Sequence, residues 1–377
     1  MITRTIQADS VKELKEKYAL FADDGFHPGI VQVYASVSMN LQDITSFFAG
    51  EGIRVFGCSS CGEFLFNDQD QLITEGAIVC LLMEIPVGTY DIKLFPGAGH
   101  SSAELGNHVG KWVSERFEDP ALLLLASGLQ IDGEQLVKGV QAMAGNDVTM
   151  FGGLAGDDAK FRDTFVFSES VIENNGAIVM VFDKAMYDIS GLATSGWAGI
   201  GAEKIITQSE GNIVYTIDDQ PALDVYTSYL NVRKDELPEI GVEYPLLIKK
   251  DGEDDVLRAV LNVDLEKKSL IFAGSVPQGS KVTFSSSPGF EIIEMTRKKI
   301  IEFSPVLKEA DLLILFSCMA RHLALGPTIS EEIIVAWEQG NAPLIGFFTY
   351  GEIGSSYNST CNFHNETFTL VTIKQKR

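Results

Sequence analysis

One unit recurs three times along this chain and dictates most of what it can fold into. Each copy is an apolar strand closing on a serine, an amphipathic helix, a second strand, a turn of small residues, and a glycine followed by a carboxylate. The first runs from Ile30 to Ser36, through a helix beginning near Asn40, to Arg54–Gly57 and then Gly62-Glu63. The second runs from Leu122 to Ser127, through a helix from about Asp132 to Ala144, to Thr149–Gly153 and Gly156-Asp157. The third runs from Leu312 to Ser317, through a helix from Ser330 to Gln339, to Leu344–Gly346 and Gly351-Glu352. Strand, helix and strand in alternation predict parallel βαβ units. The fold class expected is therefore α/β, with two lobes built from repeated βαβ units plus a β-rich middle region.

Helix boundaries have local support. Asn40, Asp132 and Ser330 stand where N-caps belong, and Gly340 stands where a left-handed C-cap would close the third helix. The β-rich stretch lies between the second and third units, with strands expected at 166–167, 176–182, 205–206, 212–217 and within 257–284. A helix is expected over 222–229, with Pro221 at its first turn. The charged segment 232–239 breaks this pattern and divides the chain into an N-terminal domain, 1–230, and a C-terminal domain, 231–377.

Bulk properties narrow the function. A net charge of −23 repels nucleic acid and anionic lipid, which removes both as default partners. The apolar runs fall far short of the roughly 20 residues needed to span a bilayer, and no signal peptide opens the chain. A cytoplasmic location is expected. Five cysteines, an odd count, fit reduced thiols better than a disulfide framework.

Candidate chemistry gathers at the three turns, because strand ends followed by glycine-rich turns expose approachable backbone amides. They present Ser59, Ser60 and Glu63; Gly152, Gly153 and Asp157; and Tyr350 and Glu352. Either these form one ligand site or the glycines merely permit tight turns. No phosphate-loop pattern is present. Cys58 and Cys61 form a C-x-x-C pair, but no helix follows to lower a thiol pKa, so catalysis by a thiol is not expected. Arg321 directly follows a buried strand, where its planar fork suits either a ligand carboxylate or a structural ion pair. No hydrolase triad or metal cluster is evident, and the chain is read as a non-enzyme.

At these residues the sequence resembles the FIST sensory proteins, with N-terminal and C-terminal FIST domains together. The resemblance rests on Phe56–Glu63, Phe151–Asp158, Ser195–Gly201, Glu210–Tyr215, Pro221–Tyr226, Phe316–Arg321, Gly346–Gly354 and Phe363–Thr367. Cys61 departs from the family's small-Thr-x-Gly-Glu pattern at the first turn. The resemblance implies a bacterial signal-input protein that binds a small molecule such as an amino acid. It would signal in trans to a histidine kinase, diguanylate cyclase or chemoreceptor. Arg321 would then hold a carboxylate, and Asp157, Glu63 or Glu352 the amine, with Ser59, Ser60, Gly152 and Gly153 completing the shell. No cofactor is required by this reading. The alternative is a haem-binding nitric oxide sensor regulating a histidine kinase or cyclic-di-GMP enzyme, with His364 as the iron ligand.

Overall fold

The computed structural model describes residues 1–22, 25–237, 240–241, 244–249, 255–286, 289, 291–355 and 360–376. The first unit comprises β1 (Ile2–Ala8), α1 (Val11–Ala22), β2 (Ile30–Ala35), α2 (Leu41–Gly50), β3 (Arg54–Ser59), the short arm β4 (Glu63–Phe66) and β5 (Gln71–Thr74), and β6 (Ile78–Glu84). The second repeats that order: β7 (Tyr90–Pro96), α3 (Ser102–Ser114), β8 (Pro120–Ala126), α4 (Gly133–Ala144), β9 (Thr149–Leu154), the arm β10 (Val166–Phe167) and β11 (Ile172–Glu173), and β12 (Gly176–Asp183).

The third unit opens with β13 (Tyr187–Thr194) and is then interrupted by a β-rich insert. The insert holds β14 (Ala198–Glu210), β15 (Ile213–Ile217), β16 (Gln220–Pro221), α5 (Ala222–Leu230), β17 (Leu246–Ile248), β18 (Val256–Arg258), β19 (Val260–Asp264), β20 (Ser269–Phe272) and β21 (Lys281–Ser286). The unit resumes with α6 (Glu291–Leu307), β22 (Leu312–Cys318), α7 (Met319–Leu325), α8 (Ile329–Gly340) and β23 (Leu344–Thr349). The arm β24 (Glu352–Gly354) and β25 (Asn362–His364) and the strand β26 (Phe368–Gln375) complete it.

Each unit builds its own sheet around a parallel pair, β2 with β3, β8 with β9 and β22 with β23. The arms are exchanged in a ring: β10 joins β3, β24 joins β9, and β4 joins β23. Every unit thus completes the sheet of another, giving the lobe a pseudo-threefold plan. The inner faces of all three sheets share one core, with Tyr34, Leu123 and Phe316 among its members. The outer faces pack beneath the helices, around Phe48 in the first unit, Trp112 in the second and Ile333 in the third. Burial on both faces is why these strands read as continuous apolar runs rather than alternating ones.

The exchange explains two of the glycines. Gly57 lies opposite Phe167 and Gly346 opposite Phe64, and a Cβ at either position would overlap that ring. These residues make room for the incoming arm. The registers Val33–Gly57, Leu124–Gly152 and Leu315–Gly346 also correct the repeat by one residue. Ser36, Ser127 and Cys318 donate equivalent backbone bonds to Ala77, Gly176 and Thr367, so Cys318, not Ser317, is the third counterpart.

Asn40 and Asp132 cap their helices as expected, through the amides of Asp43 and Gln135. Ser330 does not: α8 begins one residue earlier, and the Ser330 hydroxyl donates to Pro327 O. Gly340 is the last helical residue; the left-handed cap is Asn341, with φ 50°. The strands at 166–167 and 176–182 belong to the second unit rather than to the middle region. The insert forms a separate lobe, its eight-stranded sheet packed around Tyr226, Phe272 and Phe284. The division expected at residue 230 falls inside this lobe, just past α5, and residues 238 and 239 of the charged segment lie outside the described residues. No helix among the described residues is long and apolar enough to cross a membrane.

Candidate functional site

The three turns meet, but they are bonded to one another. Gly156 N donates to Ser59 O and Asp158 N to Ser60 O, both at 3.0 Å. Cys61 N and Phe348 O, Phe348 N and Gly62 O, Leu154 N and Gly351 O, and Tyr350 N and Leu154 O complete the lattice. Gly152 and Gly153 sit within β9, flanked by β8 and β24. The backbone amides expected to face a ligand are thus spent in joining the units.

The carboxylates close their own arms. Glu63 accepts from the Ser60 hydroxyl and, at 3.2 Å, from Ala77 N just before β6. Glu352 does the same with the Thr349 hydroxyl and, at 3.1 Å, with Thr367 N just before β26. Burial pushes each carboxyl up to about 8, against those hydrogen bonds, which favour the charged form. Asp157 accepts from the amides of Phe161, Arg162 and Asp163 and from the Tyr350 hydroxyl, tying down the loop after β9. The Ser59 hydroxyl donates to Gly156 O, at 2.6 Å. All five cysteines are buried and free. Burial pushes the Cys61 thiol up to about 11, opposite to what a nucleophile needs.

Arg321 is fully buried and ion-paired to Glu332. Its Nη1 donates to Ser195 O and Glu366 O, its Nη2 also to Thr296 Oγ1, and its guanidinium lies over the Trp197 ring. Of its two expected roles, the structure displays the ion pair: the fork that was to grip a ligand carboxylate holds Glu332. Through the two carbonyls, Arg321 fixes the segments 195–197 and 364–367.

Those segments line a cleft of about 840 Å³ between the two lobes. One wall is Leu257 of β18 with Asp255 just before it; the other is α6, with Met295, Lys299, Glu302 and Phe303 facing in; Thr194, Ser195, Trp197, His364 and Thr367 form the base. Opposite the cleft, Arg258 locks the lobes together. It pairs with Glu134 of α4 at 2.8 Å and donates to Phe363 O, while Glu134 also accepts from Ser275 N. His364 is buried, with Nε2 3.1 Å from Gly354 O. Beside it, Glu366 is fully buried in a left-handed backbone, φ 56°, and neither carboxylate oxygen has a hydrogen-bond partner. Burial, then the nearby Glu352, hold its carboxyl well above the usual range.

Of the candidates read from sequence, His364 lines this cleft and Arg321 supports it, whereas Ser59, Ser60, Glu63, Gly152, Gly153, Asp157, Tyr350 and Glu352 belong to the meeting of the turns. Lys299, Glu302 and Asp255 were missed. They carry no local motif, and the cleft joins positions from residue 192 to residue 367. Ser195–Trp197 and His364 with Thr367, within two of the resembling stretches, pointed here.

Comparison with protein families gives two matches: residues 29–220 match the FIST N domain and residues 222–355 the FIST C domain. No curated protein matches the chain.

Proposed function

From the premise that this chain belongs to the FIST family, whose domains are sensory domains of signal transduction, we propose that it binds a small molecule in the interlobe cleft and signals to a separate partner protein. The observation that carries this reading is the cleft itself. Its volume lies within the usual range for ligand pockets, it sits at a lobe interface, and its lining mixes apolar side chains with both charge signs. Lys299, paired with Glu302 at 3.0 Å, suits a ligand carboxylate, while Glu302, or Asp255, which pairs with Lys249 at 2.6 Å, suits an amine, the ligand exchanging with these half-exposed partners. An amino acid or similar zwitterion is therefore the favoured ligand class. Trp197, Phe303 and Leu257 would take its side chain.

A ligand touching both β18 and α6 is bound best with the lobes closed, so it shifts the lobe equilibrium by its differential affinity. The partner, a kinase, cyclase or chemoreceptor, would read that change. The test is a thermal-shift screen of the full chain against amino acids. A ligand at 100 times its dissociation constant stabilises the fold by about 2.7 kcal/mol. Met295→Trp, which fills the cleft from its rim, should remove the shift; a shift unchanged by that variant would refute the site.

His364 favours a second reading, haem binding. The Gly354 carbonyl, 3.1 Å from Nε2, fixes the ring of this cleft-lining histidine as backbone carbonyls fix metal-ligating histidines. Haem, when bound, supplies an iron centre for a diatomic gas. A Soret band after haem reconstitution, lost in His364→Ala, supports this reading, and no Soret band in the wild type ends it.

A further inference from the structure

A separate cavity of about 480 Å³ opens where the three turns meet. Its walls come from all three units: Cys61 and Glu75 from the first, Asp158 and Ala159 from the second, and Met319, His322 and Leu323 from the third. We propose that this cavity is a second ligand site and that it takes a small organic cation with a flat apolar body, of the aralkylamine class.

The charge of the ligand follows from the lining. Two carboxylates, Asp158 and Glu75, face the cavity, and among the described residues no lysine or arginine lines it. His322 is the one basic group lining it among the described residues, and burial lowers its pKa, against the Glu75 carboxylate 3.8 Å from its Nε2. Asp158 is fixed in place: Oδ2 accepts from Ser36 Oγ at 2.8 Å and from Lys160 Nζ at 2.9 Å. The Lys160 side chain is half-exposed, so its ammonium can swing out and leave that oxygen to a ligand ammonium.

The apolar body follows from the rest. Met319, Leu323 and Pro327 present aliphatic surface, and the His322 ring packs on Phe348 with centroids 4.2 Å apart, making a flat floor. Leu323 is 65% exposed at the mouth, a large apolar side chain left for a ligand to cover. Asp158 and Ala159 both hold left-handed backbone, φ 54° and 58°, a conformation such residues adopt at a cost. The same loop hangs from Asp157, so occupancy would be felt at the junction of all three units.

The test uses phenethylamine as the probe and 2-phenylethanol as its neutral counterpart, titrated by calorimetry into the full chain. Phenethylamine should bind and the alcohol should bind at least about tenfold more weakly. Asp158→Asn, which keeps an acceptor for Ser36, should weaken the amine about tenfold or more. Leu323→Trp, which fills the mouth from an exposed position, should abolish binding, whereas Met295→Trp in the interlobe cleft should leave it unchanged. The proposal is overturned if phenethylamine does not bind, if the alcohol binds as tightly, or if Asp158→Asn binds like the wild type. Loss of binding in Met295→Trp would also overturn it, by placing the amine in the cleft.

Discussion

The first and third units close their arms by the same device and differ at one backbone position. Ser60, Glu63 and Ala77 in the first correspond to Thr349, Glu352 and Thr367 in the third. The residue before Ala77 is Gly76, with φ 84°; the residue before Thr367 is Glu366, with φ 56°. The first unit thus fills a left-handed position with glycine, which accepts it freely, while the third fills it with a buried carboxylate lacking a hydrogen-bond partner. The third also buries Arg321 against Glu332 beneath the cleft. The first unit shows that the scaffold closes without these features. Their presence in the third marks where stability has been given up for something else.

The largest expected effect tests the buried ion pair. Arg321→Ala leaves Glu332 buried without its cation and releases Ser195 O and Glu366 O. Breaking such a pair from one side costs about 3–5 kcal/mol. Urea unfolding should report that loss, and any ligand that stabilises the wild type through the cleft should stop doing so. If Arg321→Ala were no more damaging than a surface substitution, the third unit would be as plain as the first and the contrast would collapse.

Next come the glycines under the exchanged arms. The three atoms nearest a Cβ at Gly57 all belong to the Phe167 ring, whereas Gly346→Ala meets the Leu315 carbonyl in the neighbouring strand first and then the Phe64 ring. A ring can turn aside; a carbonyl held in a sheet cannot. Overpacking of this kind costs about 1–3 kcal/mol, with Gly57→Ala expected at the low end and Gly346→Ala at or above the high end. A second substitution, Phe167→Leu, should rescue Gly57→Ala, while Phe64→Leu should rescue Gly346→Ala only in part. Equal costs and equal rescue would show that the arms, not the strands, set the tolerance at both sites.

How much of this could be read from the chain depends on the range over which each feature is encoded. The runs Ile30–Ala35, Leu122–Ala126 and Leu312–Phe316 announced strands covered on both faces, and Gly62-Glu63 and Gly351-Glu352 marked where two arms begin, so the repeat was legible, although the second arm starts nine residues after Asp157. The exchange was not. β10 and β11 are two residues each, and nothing local states that Phe167 pairs with Gly57, 110 positions earlier in the chain. The repeat slipped by one residue for a related reason: Ser317 looks like Ser36, and only the ladder reveals that Cys318 takes its place. The same distance problem hides the cleft, whose walls come from β13, β18, α6 and the turn before β26. Arg321 was conspicuous as a charge after a buried strand, but its partner, Glu332, sits on a different helix. Composition alone could not decide between ligand and ion pair.

The acids offer a third test, through pH. Glu63 and Glu352 are both pushed up to about 8 when folded, against 4.5 as free groups. A raised folded pKa means the native state holds a proton that the unfolded chain has released. Their contribution to stability is therefore complete below about pH 4.5, declines as pH rises, and is gone above about pH 8. Unfolding free energies measured between pH 5 and 8.5 should fall with rising pH. Glu63→Gln should remove all of the first unit's share of that slope. Glu352→Gln should leave a remainder, because Glu366 is raised as well. Each single variant keeps one such acid together with Glu366, so the double variant Glu63→Gln, Glu352→Gln isolates it; a flat profile there would mean that Glu366 does not titrate with the fold.

The smallest effect bears most directly on the contrast. At Gly76 an added Cβ meets nothing within 4 Å, so Gly76→Ala is penalised by backbone conformation alone, about 1 kcal/mol. Glu366→Gly runs the exchange backwards. It relieves a left-handed glutamate of similar cost and removes a buried carboxyl lacking a hydrogen-bond partner, against the packing lost with the side chain. The variant should be no less stable than the wild type, and more stable at pH 8 than at pH 5 relative to it, because the wild type alone must keep that acid protonated. If it also weakens binding in the adjacent cleft, Glu366 is strain retained for the site. If it is destabilised by several kcal/mol, the side chain is a packing element and the two units differ in filling rather than in purpose.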